Sequence, residues 1–484
     1  MFQEEGSSSV TSSSPLQLFS SIMSMSPNLG PAAYPSWLRD LKSEERGLYL
    51  IHLLLSCANH VANGSLENAN FALDQISHLA TPTGDTMQRI AAYFTEALAD
   101  RILKSWPGLY KALHFTKTPL VREEIIVKKL FFELFPFLKL AFLVANQAIV
   151  EAMEGEKMIH IIDLNASEPA QWIAFIQALS TRPEGPPHLR ITGVHQQKEV
   201  LDQVAHKLTE EAEKFDLPFQ FNPVASKLEN LDVDKLRVKT GEALAISSVL
   251  QLHTLLAAPA EDHEGGLHRK QKSPPSGLID RASTDNGFHL QSMLQMRSSS
   301  EPDGVHNRRC SPSNNDSAAS SPPLNSAPTK VDTFLNALWG LSPKIMVVAE
   351  QDSNHNSSAL MERLSEALHF YAALFDCLEC TLHRESIERL RVEKMLFGEE
   401  VKNIIACEGV ERKERHEKLE RWVQRLEIAG FGNVGLSCVG LLQAKRLLQA
   451  YGCDGYKIKE ENGCIVFCWQ DRPLFFVSAW MCRR

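Results

Sequence analysis

Hydrophobic positions in this chain change period along its length, and each change marks a change of architecture. From Ser43 the period is helical: Leu48, Ile51, Leu55 and Ala58 fall on one face by a 3-4-3 spacing. Gly64 breaks this helix, and a second is predicted over 65–79. Thr81-Pro82-Thr83-Gly84 reads as a turn. Asp85 with Gln88 then has the spacing of a capping box that opens a third helix. Pro107-Gly108 reads as the end of that stretch, and helices at about 123–134 and 137–154 flank Pro136. Residues 43–155 are therefore expected to form an all-helical unit, a cap ahead of any strand.

At Met158 the pattern becomes strand-like. Met158-Ile159-His160-Ile161-Ile162-Asp163 is an apolar run ending in an acid, the mark of a buried parallel strand. A helix over 170–181, a strand over 189–194, a helix over 197–214 and strands over 219–222 and 243–247 follow. Strand and helix in alternation predict a parallel sheet with right-handed crossovers, over 156–256. Residues 257–330 interrupt it with Ser273-Pro274-Pro275-Ser276 and Ser320-Ser321-Pro322-Pro323, and read as a disordered insertion. Residues 1–42, rich in Ser and Pro, read the same way. The pattern resumes over 331–484: a helix at 331–339, a strand at 344–350, helices at 358–380, 386–405, 411–428 and 437–449, then strands at 456–460, 464–470 and 474–480. Asn462-Gly463 is a hairpin signal between the first two of those strands.

Composition narrows the class. With 44% hydrophobic and 23% charged residues, the chain is ordinary for a globular protein. No apolar run reaches about 18 residues, so no membrane-spanning helix is expected. The N-terminus lacks the basic and apolar regions of a signal peptide. A net charge of −9 gives no global basic balance for nucleic acid, although it leaves a local patch open. The ten cysteines are scattered, and neither Cys377-x2-Cys380 nor Cys464-x3-Cys468 supplies four zinc ligands. No metal is expected.

The candidate chemistry sits after the first strand. In cofactor-binding α/β folds the next turn carries glycines that let backbone approach the ligand. Here the turn is Leu164-Asn165-Ala166-Ser167-Glu168-Pro169-Ala170-Gln171-Trp172, without glycine and with an added acid. The second strand ends in Val194-His195, where many such sites carry a ribose-binding acid. No catalytic residue and no cofactor are expected. His160 is read as a buried histidine satisfied by internal hydrogen bonds. Alternating charges over 411–418, with Arg412, Arg415, His416 and Glu417, fit i,i+4 pairs on a solvated helix and equally a DNA-contacting segment, though the run is as acidic as it is basic. His268-Arg269-Lys270-Gln271-Lys272 is the best basic cluster, fitting either a weak nuclear import signal or a solvated linker. Trp469 and Trp480 read as core residues. Leu50, Leu53 and Leu54, and likewise Leu252, Leu255 and Leu256, fit a Leu-x2-Leu-Leu helix pattern; packing is favoured, with partner docking kept open.

Several ordered motifs resemble the plant GRAS family. Ile159-His160-Ile161-Ile162-Asp163 resembles its "VHIID" element, with Ile for the first Val. Pro343, Phe370-Tyr371 and the Arg415-His416-Glu417 segment resemble "PFYRE", and Ser478-Ala479-Trp480 resembles the terminal "SAW". Trp422 with Gly430, and Trp469 with Trp480, match two further spacings. The first helix and the 167–172 turn most resemble the scarecrow-like 3 subfamily. The resemblance implies a Rossmann-like, class I methyltransferase-like α/β fold: a mostly parallel sheet with a C-terminal antiparallel hairpin and an N-terminal helical cap. It also implies a nuclear transcriptional regulator in gibberellin signalling. Implied partners are other GRAS proteins, DELLA-type repressors among them, as homo- or heterodimers, and indeterminate-domain zinc-finger factors that would contact DNA. A direct DNA-binding factor is the alternative, and a methyltransferase-like enzyme or small-ligand receptor a more remote one.

Overall fold

The computed structural model describes residues 42–115, 121–257 and 329–483. The Ser/Pro-rich stretches at 1–42 and 257–330 lie outside these residues apart from their boundary positions, and so does the basic cluster at 268–272. Among the described residues no helix is long and apolar enough to cross a membrane.

Among the described residues six helices precede the first strand: α1 (Ser43–Ala62), α2 (Leu66–Leu79), α3 (Thr86–Leu103), α4 (Pro107–His114), α5 (Val121–Leu134) and α6 (Phe137–Ala152). The capping box forms. Gln88 N donates to Asp85 Oδ1 at 3.0 Å and Asp85 N donates to Gln88 Oε1 at 3.1 Å. Asp85 Oδ2 also accepts from Ser43 and Arg46, so one cap ties α3 to α1. Pro107 corrects the sequence expectation. It opens α4 rather than ending a helix, because the first helical turn needs no proline N–H and its φ is already set.

The sheet follows: β1 (Met158–Asp163), α7 (Ala170–Ser180), β2 (His188–His195), α8 (Lys198–Lys214), β3 (Phe219–Ala225), β4 (Ala243–Val249), α9 (Lys330–Gly340), β5 (Ile345–Gln351) and α10 (Leu360–Thr381). Then come α11 (Ile387–Val392), a π-helical turn (Glu393–Phe397), α12 (Gly398–Ala406), α13 (Leu419–Ile428), β6 (Phe431–Val434), α14 (Cys438–Ala450), β7 (Tyr456–Glu461), β8 (Cys464–Trp469) and β9 (Arg472–Cys482). The spatial order is β3-β2-β1-β4-β5-β9-β8-β7, with β6 also on β9. The first five strands are parallel, and β9 runs antiparallel to β5, β8 and β6. This is the doubly wound, methyltransferase-like arrangement. The β7–β8 hairpin turns through Asn462 and Gly463, both at positive φ (50° and 77°), as a tight primed turn requires. The last strand is not the sheet edge. It inserts between β5 and the hairpin.

Apolar side chains pack on both faces. Ile159 and Ile161 join one core with the cap, α7, α8 and α10; Ile162 joins another with Trp422, Phe431 and Trp480. This two-sided burial follows from a strand apolar at nearly every position.

Two further expectations need correction. The single helix expected over 386–405 is broken by the π turn. There Glu393 accepts from Arg89 of α3 (2.9 and 2.5 Å) and Arg389 of α11 (2.8 Å), and Arg389 reaches Glu379 of α10 at 2.6 Å. Arg89, Arg389 and Glu393 are fully buried, so this ionic chain fixes the cap against the later helices. The helix expected from 411 begins only at Leu419. Residues 412–418 form no regular element, because their backbone finds other partners: Lys413 N and Glu414 N donate to Asn403 Oδ1, and His416 O accepts from His355 N. Arg412, His416 and Glu417 are buried, so the alternating charges are not a solvated helix face.

Two outcomes are expected. Trp480→Ala removes a fully buried indole and its 2.9 Å bond to Ser478 Oγ, and should lower stability by about 3–5 kcal/mol in denaturant melts. A loss under about 1 kcal/mol would place this indole at the surface instead. Arg89→Ala breaks a buried ion pair and should cost about 3–5 kcal/mol, measured the same way.

Candidate functional site

The switch point of the sheet lies between β1 and β4, where chains of this topology bind ligands beyond the strand ends. The turn after β1 is closed by its own side chains. Asp163 is buried. Its Oδ2 accepts from Trp172 Nε1 at 2.6 Å and its Oδ1 from Asn165 N at 3.0 Å. Asn165 Nδ2 donates to Val249 O at 3.1 Å, while Leu164 N and Ala166 N donate to Ser247 O and Val194 O. The turn's backbone donors thus face the sheet. At the start of α7, Glu168 Oε1 accepts from Ala170 N at 3.1 Å, placing a carboxylate where an anionic ligand group would sit. At the end of β2, His195 Nδ1 accepts from Gln197 N at 3.1 Å. Gly193 shows how tightly the turn packs: a Cβ there would lie 2.6 Å from Phe221 Cζ and 2.8 Å from Ala166 Cβ.

A cavity of about 340 Å³ nevertheless remains above the strand ends. Phe131, Phe132, Phe142 and Phe397 form apolar wall; Asp163, Glu168, Gln171, His195, His253, Glu400 and Glu414 bring polar groups. Behind it lies a polar cluster that sequence reading missed. His253 Nδ1 lies 2.7 Å from Glu350 Oε2, and Glu350 Oε1 accepts from Gln251 N (2.9 Å) and Leu252 N (2.7 Å). His253 Nε2 and His416 Nε2 face Glu414 Oε2 at 3.5 and 3.3 Å. His416 Nδ1 meets His355 Nδ1 at 2.9 Å, and His355 Nε2 meets Ser353 Oγ at 2.8 Å. Tyr371 donates to Glu400 Oε2 at 2.8 Å.

Burial opposes charge throughout this cluster. It works against the His253 imidazolium, but the Glu350 and Glu414 carboxylates overcome it and lift that pKa to about 10. Burial and then the Glu414 charge raise Glu400 to about 8. Burial favours neutral Glu414 too, yet His253 and His416 hold it well below the carboxylate range. His355 is pushed well below its usual value by burial and then His416.

The residues singled out from sequence fall mostly in the scaffold. His160 is fully buried; its Nε2 meets Thr192 Oγ1 at 2.8 Å and its Nδ1 meets Arg190 Nη2 at 3.0 Å. Pro343 is buried just before β5. Phe370 and Tyr371 pack on α10 against His355. Arg415 donates to Arg412 O, Asn356 Oδ1 and Gly409 O, and Glu417 accepts from Asn356 and Arg425. Trp422 is core. Gly430 has φ +94°, and a Cβ there would meet Trp339 Nε1 at 2.9 Å. Trp469 Nε1 donates to Asp376 at 2.7 Å, and Ser478, Ala479 and Trp480 pair with Val348, Val347 and Met346 of β5. Leu50, Leu53, Leu54, Leu252 and Leu255 are buried and Leu256 is half-buried, so these leucines present no open docking face.

Asp163 yields a pH-dependent expectation. Burial raises its pKa from 3.8 to about 6, against the lowering effect of the Trp172 and Asn165 bonds. A carboxyl with a raised folded pKa binds its proton more tightly in the folded state, so protonation favours the fold as pH falls through about 6 towards 3.8. Trp172→Phe removes a bond to the ionised form, which contributes about 1.5–3 kcal/mol. Its deficit relative to wild type should therefore be larger at pH 7.5 than at pH 5 in urea melts. A deficit equal at both values would show that the bond does not depend on the charge.

Comparison with known proteins agrees with these features. A model of the GRAS domain family matches residues 50–481. Scarecrow-like protein 3 of Arabidopsis thaliana is 63% identical over 492 residues, covering 100% of this chain and 99% of its own length. DELLA protein GAI1 of Vitis vinifera is 33% identical, covering 90% of this chain and 62% of that longer protein. The crystal structure of SCL7 in Oryza sativa superposes with a TM-score of 0.67 at 28% identity, covering 89% of this chain and 99% of that one. With the motifs lodged in the sheet and its supports, and the family match running almost end to end, this chain belongs to the GRAS domain family.

Proposed function

We infer that this chain is a nuclear regulator of transcription that works through protein–protein contacts in gibberellin-linked growth control, and that it does not catalyse methyl transfer. The observation that carries the reading is the closed turn after β1. Asp163 is saturated by Trp172 and Asn165, and Glu168 occupies the helix start. A cofactor of this fold class needs that helix start for itself and an acid at the end of β2, where His195 stands instead. The relatives named as scarecrow-like and DELLA proteins support the regulatory role. Partners are other GRAS proteins, including DELLA-type repressors, and zinc-finger factors of the indeterminate-domain type that supply the DNA contact.

A surface feature agrees with a docking role. Helix α4 buries no residue, and Trp106, Leu109, Leu113 and Phe115 around it are exposed. Apolar groups clustered on an exposed helix mark contact surface more often than scattered ones do.

Two measurements test the reading. S-adenosylmethionine at millimolar concentration should leave the melting temperature unchanged, whereas binding to the folded state would raise it. Leu109→Ser with Leu113→Ser should cut capture of a DELLA-type partner at least tenfold and change stability by less than about 0.5 kcal/mol per site. Methyl transfer from labelled donor, abolished by Asp163→Asn, would overturn the non-enzymatic reading. Direct salt-dependent binding of duplex DNA by the pure protein would replace indirect with direct DNA contact.

A further inference from the structure

The polar cluster beside the cavity has a geometry that its hydrogen bonds alone do not explain. Ser353 Oγ donates to Glu366 Oε1 at 3.2 Å, so its oxygen is left to accept from His355 Nε2. With that ring nitrogen protonated, His355 Nδ1 accepts from His416 Nδ1. In this arrangement the proton of neutral His416 is on Nδ1, and Nε2 carries a lone pair. That Nε2 is fully buried and has no hydrogen-bond partner among the described residues. It faces a Glu414 oxygen at 3.3 Å, longer than a short charge-assisted bond. His253 approaches the same point. Its Nδ1 is held by Glu350 at 2.7 Å, and its Nε2, which would release its proton to bind a metal ion, faces the same Glu414 oxygen at 3.5 Å.

Two basic nitrogens and a carboxylate oxygen thus converge, all within 4.8 Å of one another. A charged N–H···O bond closes to about 2.7–2.9 Å. The His253–Glu350 pair does so; the two contacts to Glu414 do not. Ligands on a tetrahedral zinc ion, with bonds of about 2.0–2.15 Å, stand about 3.3–3.5 Å apart. The two Glu414 separations match that spacing. The far nitrogens are held as in many metal sites, one by a carboxylate and one by a histidine relay. We propose that His253 Nε2, His416 Nε2 and one Glu414 oxygen are the protein ligands of a divalent transition-metal ion of the zinc class, beside the cavity. A two-histidine, one-carboxylate set leaves a position for water or a ligand donor atom, and Glu414 and His253 line the cavity from which it would come. The ion would also balance the formal charges of Glu350 and Glu414. The set is independent of the protein-contact reading above, since it involves none of the exposed residues on α4.

The test uses the full chain, free of any histidine tag and stripped with chelator. One equivalent of Co²⁺ should give visible d–d absorption without thiolate charge-transfer bands, and one equivalent of Zn²⁺ should abolish it and raise the melting temperature. His416→Gln and Glu414→Gln should lose the absorption while keeping the far-ultraviolet circular dichroism of wild type. Glu350→Gln should weaken uptake about 10–100-fold by loosening His253. Cys380→Ser with Cys438→Ser, which removes two exposed thiols, should change nothing. No absorption in wild type overturns the assignment, whatever the variants do. So does absorption that survives His416→Gln, or that disappears with the two cysteines.

Discussion

The antiparallel seating of β9 between β5 and β8 is the constraint on which the rest of the molecule depends. A chain of this length has placed its final strand in the sheet interior. Until β9 forms, β5 and β8 both expose unpaired backbone edges, and the sheet stops at five parallel strands. The first half of β9 pairs with β8 and its second half with β6, while β5 holds it along the other side. Phe475 reaches the core shared with the cap, and Phe476 and Trp480 reach the opposite one. One strand therefore closes both layers. Pairing of such high sequence separation comes late and slowly in folding, because loop closure must precede any gain from contact.

The same closure positions the polar cluster. Glu350 stands at the end of β5, and Asp352, just beyond, donates its backbone N–H to Leu474 O of β9. The segment Ser353–His355 is thereby held beside residues 412–418, whose path is fixed by Asn403, His355 and Asn356. The buried chain Arg89–Glu393–Arg389 then ties α3 to α11 and to the π turn, whose Phe397 lines the cavity. Three distant parts of the sequence meet above the sheet only after these pairings exist.

This explains what was legible in the sequence. Strands β1, β4 and β5 are largely apolar runs, and β2 carries Leu189, Ile191 and Val194 among β-branched and small residues; such local patterns need no knowledge of their neighbours. The Asp85–Gln88 cap and the Asn462-Gly463 turn are local chemistry and were equally readable. β6 was missed because Phe431-Gly432-Asn433-Val434 is short and carries turn residues; its pairing comes from β9. Residues 411–418 misled for a related reason. Their charge alternation fits helix pairs, but the deciding partners, Asn403 and His355, are local in space and not in sequence. The His253, His416 and Glu414 set left no spacing signal at all. Its one trace was polar residues in apolar settings: Glu350 in Ile345-to-Gln351, and His253 inside the leucine-rich 249–256 segment, which hydrophobic periodicity absorbed.

The two polar regions over the sheet carry opposite surpluses. At the turn after β1, each acceptor of Asp163 has a short bond to a donor of the chain itself, and the helix start is filled by Glu168. A closed turn of this kind rigidifies the core and leaves little for a ligand to satisfy. At the ends of β4 and β5 the balance reverses. Glu350, Glu400 and Glu414 gather with His253, His355 and His416, so carboxyl groups are concentrated there. A low-dielectric site with that surplus draws in a cation or a hydrogen-bond donor. The sheet has thus kept a cavity above its strand ends while moving the groups able to bind from the first turn to the fourth and fifth strands. A ligand entering there would touch Phe397 of the π turn and Glu400 of α12.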